Sequence, residues 1–159
     1  MDLLDRMLDH DTWATERIFE HAASLTDEQL DQPFALGHGS LRATLSHHTA
    51  AIAFWTAQMT SQPIPSSDPD PTASVASIAD QFATISATFA TSARSLRDQN
   101  RLEDTFRDHN DNPISYSATI LHVLHHSAGH RSEEQHMLHR LDAAEVWDYD
   151  PQEWEWSIR

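Results

Sequence analysis

The stretch from Ser115 to Leu141, SYSATILHVLHHSAGHRSEEQHMLHRL, constrains this chain more than any other. It reads as one long helix that carries six histidines: His122, His125, His126, His130, His136 and His139. His126 and His130 are four residues apart, so an α-helix sets them one above the other on a single face. Ile120, Val123, Ser127 and Met137 flank that face, so the pair is expected to point into the protein. Two imidazoles placed this way can converge on one metal ion, with bonds of about 2.0–2.1 Å if it is zinc. The alternative, on a helix this rich in histidine, is a set of core and surface rings satisfied by hydrogen bonds. A third ligand from elsewhere in the chain would decide between them.

A helix of this length needs partners, and the rest of the chain supplies three. Residues 2–24 carry an apolar stripe through Leu4, Met7, Leu8, Ala14, Ile18 and Ala22, with charge on the opposite side. Thr26 is placed to cap a short turn that reaches Leu30. After a loop from Pro33 to Gly39, Ser40 caps a second long helix over 41–60, with a stripe through Leu41, Leu45, His48, Ile52, Trp55 and Met59. Residues 62–72, QPIPSSDPDPT, hold four prolines and are expected to form an exposed linker. A third helix follows over 74–99, with Val75, Ile78, Phe82, Ile85, Phe89 and Leu96 facing in. Residues 101–113 are polar and expected to be irregular. The tail from Asp142 to Arg159 contains Trp147, Tyr149, Trp154 and Trp156 and is too aromatic to hang free, so it should pack back on the bundle or onto a second subunit. Only three glycines interrupt the 159 residues, two of them in the Gly37-His38-Gly39 turn. The expected fold is all-α: a four-helix bundle in one domain over residues 1–159, of the kind that holds metal ligands on facing inner helix surfaces.

Charge removes several classes of function. The net charge is −15 with the histidines neutral, and protonating all 12 would still leave it negative. Nucleic acid and anionic membrane both require a positive surface, and no Lys/Arg-rich run exists here, so neither is an expected partner. The absence of cysteine excludes disulfides, thiolate ligands and a cysteine nucleophile. The acidic, amphipathic N-terminus lacks the basic and apolar regions of a signal peptide, and no apolar run is long enough to span a bilayer, which together point to the cytoplasm.

Helix two offers His47 and His48 as a third ligand, about 100° apart around the helix axis. Periodicity favours His48, which continues the line of Leu41, Leu45, Ile52 and Trp55. Around these residues the sequence resembles a known family. Ser40-Leu41-Arg42-Ala43-Thr44-Leu45-Ser46-His47 is similar to the start of helix two in the DinB-like (DinB/YfiT) metalloenzyme superfamily, where a leucine precedes the ligand histidine by two. His122-Val123-Leu124-His125-His126 and Ser127-Ala128-Gly129-His130-Arg131 resemble its last helix, where a histidine pair is followed directly by arginine. Trp147-Asp148-Tyr149 is similar to the tail of many members. One departure is Ser132, at a position often glycine in the family.

The resemblance implies a metal held by His47, His126 and His130, and so favours His47 over His48. It implies a metal-dependent enzyme, a transferase or hydrolase of the thiol-S-transferase type. Such an enzyme would act on a small-molecule substrate, with a low-molecular-weight thiol as a possible further cofactor. It also implies a homodimer, for which the tryptophan-rich tail gives a physical motive. Zinc and nickel both suit three imidazoles. Arg131, next to a ligand, is a candidate to bind a substrate or cofactor carboxylate; the alternative is an ion pair with carboxylates of the last helix or tail. Glu133 and Glu134 are expected in solvent. Two further readings stand beside the enzyme: a non-catalytic sensor or buffer of a divalent ion, and a helical dimer whose histidines are structural.

Overall fold

Each long helix begins where the sequence supplies a side-chain cap. The computed structural model of the chain describes residues 1–65, 70–143 and 149–159. Asp2 caps α1 (Leu3–Ala22) in a reciprocal box with Asp5, and Thr26 does the same with Gln29 for the single turn α2 (Asp27–Leu30). Ser40, Ser74 and Ser115 accept a backbone N–H three residues on to start α3 (Leu41–Thr60), α4 (Val75–Asp98) and α5 (Tyr116–Arg140). These bounds lie within two residues of the expected ones. None of the helices is long and apolar enough to cross a membrane, among the described residues.

The expectation of an irregular 101–113 is corrected by two short strands. β1 (Thr105–Arg107) pairs antiparallel with β2 (Pro113–Ser115), Phe106 opposite Ile114. Three residues are too few to display an alternating pattern, and the turn between them is held by the Asp108 carboxylate, which accepts from the N–H groups of Asn110 and Asn112 at 2.9 and 2.8 Å.

The four long helices form a bundle. α3 packs between α4 and α5, and α1 packs between the same two on the other side. His48 lies against Glu134 while Trp55, two turns on, lies against His122, so α3 and α5 are antiparallel. Asp5 meets Arg94 and Phe19 meets Phe82, so α1 and α4 are antiparallel as well. Arg42 reaches the Ala73 carbonyl and His48 meets Phe82, which sets α3 and α4 in the same direction. α1 and α5 therefore run one way and α3 and α4 the other. Leu8, Ile18, Leu41, Leu45, Phe82, Met137 and Leu138 fill the centre. Packing of these stripes, more than helix propensity, stabilises the bundle.

A layer of polar side chains crosses this core. Arg131 of α5 is 8% exposed, and its guanidinium forms an ion pair with Asp11 of α1 and reaches the hydroxyls of Thr15 at 3.2 Å and Ser127 at 3.0 Å. Ser127 donates to the other Asp11 oxygen at 3.2 Å and meets His48 Nε2 at 2.7 Å, while His48 Nδ1 lies 3.1 Å from Glu134 Oε1. Glu134 is wholly buried, which corrects its expected place in solvent; Asp11, on a helix whose charges were expected to face outwards, is 6% exposed.

The tail closes against α1. His10 Nε2 donates to the Tyr149 carbonyl at 2.8 Å, Trp13 meets the Tyr149 ring edge-on, and α6 (Pro151–Ser157) brings the buried Trp154 beside His10. Tyr149 and Trp154 thus pack back on the bundle, whereas Trp156 is 69% exposed. Trp147 lies outside the described residues.

Replacing Asp11 with alanine would leave the Arg131 charge buried without its carboxylate. Unfolding in urea should then require about 3–5 kcal/mol less than for the parent chain. A loss below about 1 kcal/mol, the size of an exposed ion pair, would contradict the pairing described here.

Candidate metal centre

The face of α5 one residue round from the polar layer carries His126, His130 and Glu133. The two Nε2 atoms of His126 and His130 lie 3.2 Å apart. Two nitrogens of one tetrahedral zinc ion would be separated by about 3.3 Å, given bonds of about 2.0–2.1 Å. Glu133 lies 2.7 Å from His130 Nδ1. A carboxylate there accepts a hydrogen bond from Nδ1–H, which keeps the proton on Nδ1 and leaves the Nε2 lone pair free, the orientation a ligand histidine needs. Glu133 was expected in solvent; it is half-buried and engaged.

α3 brings His47 to this point. Its ring centroid lies 5.0 Å from that of His130 and 5.7 Å from that of His126. All three residues expected from the resemblance therefore meet at one place. The tightest trio differs by one member: His38, His47 and His130 each offer a nitrogen, and those atoms all lie within 4.8 Å of one another. Among the described residues no other such cluster of histidine or acidic groups is found.

His38 was not anticipated. It comes from the loop before α3, and its ring stacks on His47 with centroids 3.6 Å apart. Its backbone N–H donates to Thr44 Oγ1 at 3.1 Å. Gly37, at φ +53°, makes this possible: a Cβ there would come within 2.7 Å of the same Thr44 oxygen. The signal in the sequence was a histidine set between two of only three glycines, just ahead of a helix cap.

His48, favoured by periodicity, points away. It is 1% exposed and both ring nitrogens are used within the core. Arg131 is likewise turned inwards, its guanidinium on Asp11, so it anchors α5 to α1 and does not face the cleft where a substrate carboxylate would bind. The pairing anticipated as an alternative is realised with α1, not with the last helix. Ser132, His125, His136 and His139 are exposed.

The imidazoles are electrostatically prepared for a cation. Burial pushes His47 down to about 4, helped by the nearby His38, His130 and His126 rings. Burial also pushes His126 down to about 4, helped by His130 and His122. Both rings are neutral at pH 7, as a metal requires. The donor set thus fits a divalent ion: clustered imidazoles, two of them held neutral by burial, and a carboxylate orienting one ring. Beside it a cavity of about 820 Å³ runs between α3 and α4, with His47 and His126 in its wall and Phe54, Trp55, Ile78 and Ile85 supplying apolar surface.

The DinB family model matches residues 1–159. The chain belongs to the DinB family. Its fold agrees with that of a DinB-like protein from Bacillus cereus ATCC 10987, solved by crystallography, with a TM-score of 0.66 over 89% of this chain and 95% of that one. At 21% identity this likeness speaks for the DinB fold alone. No functionally curated protein matches the chain.

The neutral rings carry a consequence for stability. Histidine in an unfolded chain titrates near 6.5, whereas folded His47 and His126 do so near 4. Between those values the unfolded chain takes up protons that the folded chain refuses, so stability is full above pH 6.5 and falls as pH drops towards 4. Melting temperatures of metal-free protein across this window should decline less steeply in His47→Gln than in the parent. An unchanged slope would contradict the burial of a neutral ring.

Proposed function

We propose that this DinB protein is a metal-dependent enzyme of the thiol-S-transferase or hydrolase type, with His47, His126 and His130 as ligands of a divalent ion, zinc or nickel. The observation that carries the proposal is the oriented pair, His126 facing His130 with Glu133 behind it, beside a cavity large enough for an organic substrate whose wall includes His126 and His47. When bound, the ion would supply Lewis acidity and would lower the pKa of a water or thiol that joins it. The chain does the rest. Glu133 accepts a hydrogen bond from Nδ1–H of His130 and so fixes the ring, and the apolar walls around Phe54 and Trp55 exclude bulk water and orient the substrate. The resemblance to thiol-dependent members motivates a low-molecular-weight thiol as co-substrate.

A second reading has its own observation. If His38 joins the other three rings, four imidazoles complete a tetrahedral shell, which is the pattern of a structural or storage site without an open position. The protein would then sense or buffer the ion.

Metal content after equilibration and desalting tests both. Alanine at His47, His126 or His130 should lower it from about one ion per chain to a small fraction, since two imidazoles hold a divalent ion far less tightly than three. His125→Ala and His139→Ala should keep the metal, and His48→Ala should weaken the fold but keep it too. His38→Ala separates the readings by affinity: the three-histidine enzyme binds its ion as tightly as the parent, whereas the four-imidazole site, cut to three ligands, binds it measurably more weakly. Unchanged content in all three ligand variants would leave no metal centre.

A further inference from the structure

The cavity beside the histidines has a charge character of its own. Among the described residues its charged lining groups, apart from the two histidines, are the carboxylates of Asp70 and Asp80, and no arginine lines it. Arg42, close by, is tied down: its guanidinium donates to Asp31 at 2.7 Å, to Asp27 at 2.6 Å and to the carbonyl of the cavity residue Ala73 at 2.7 Å. Among the described residues, an anionic molecule entering here would meet two negative charges and no free side-chain cation. The walls suit the opposite sign, because Phe54 and Trp55 are among them and aromatic rings attract organic cations. The chain's net charge of −15 steers such a ligand inwards.

We propose that this cavity selects an organic cation, an amine or ammonium group on an apolar body. As the substrate class of the enzyme the inference rests on the metal-centre reading. As a statement about binding it does not, and the test keeps the two apart.

Phenylbutylamine, phenylbutanol and phenylbutyrate share one apolar body and differ in charge. Their binding to the full chain is measured by calorimetry at matched ionic strength, as purified and after chelation, with metal content determined on each sample. The chelated protein tests the cavity without any ion, so a chain that holds no metal can still pass. The amine should bind at least about tenfold more tightly than the carboxylate, with the alcohol between them. The ratio should fall below about threefold in Asp70→Asn/Asp80→Asn. A control, Glu28→Gln/Glu103→Gln, removes the same charge from exposed sites elsewhere and should keep the ratio. Tighter or equal binding of the carboxylate to chelated protein would overturn the proposal. So would failure of all three probes to bind, or equal loss in the two double variants.

Discussion

A guanidinium held in the core of a small bundle must be answered by a carboxylate, because the cost of desolvating the charge exceeds what packing can return. Arg131 and Asp11 satisfy that requirement across the α5–α1 interface, and Ser127, His48 and Glu134 extend the bonding to α3. The rotation of α5 about its axis follows from this layer. Residues 127, 131 and 134 form the anchoring stripe; 126, 130 and 133, each one residue earlier, form the neighbouring stripe that faces the cleft. α3 repeats the pattern, with His48 anchored and His47 presented. One helical step of about 100° separates the residues that hold the helices from the residues that would hold an ion.

That arrangement also explains why the site needs little from the loops. α3 and α5 run antiparallel, so His47 meets the His126–His130 pair along adjoining faces of rigid elements. The one loop contribution, His38, is positioned by a glycine in a left-handed conformation and by Thr44 on the first turn of α3. On the far side of His47 the same helix turns Ala50, Ala51 and Ala53 towards α4, and small side chains there leave the space that becomes the cavity.

Much of this was legible in the sequence, for identifiable reasons. Helix caps at Ser40, Ser74 and Ser115 and the apolar stripes between them specify the bundle, and i,i+4 spacing specifies that His126 and His130 share a face. Periodicity measures burial, however, and not function. It selected His48 because His48 is the more buried of the pair, and the resemblance was needed to point to His47. The same logic placed Asp11 and Glu134 in solvent, since a lone charged residue is usually exposed; their partners come from other helices and are invisible along one chain. His38 carried only the hint of its two glycines. The strands at 105–107 and 113–115 were too short to show an alternation.

The central claim is that the histidines of α3 and α5 converge on one ion. X-ray absorption at the metal edge of the zinc-loaded chain reads that directly. The account predicts at least three imidazole nitrogens at about 2.0–2.1 Å, with the outer-shell scattering of intact rings. A first shell of oxygen alone, or of one imidazole with the remainder water, would contradict it.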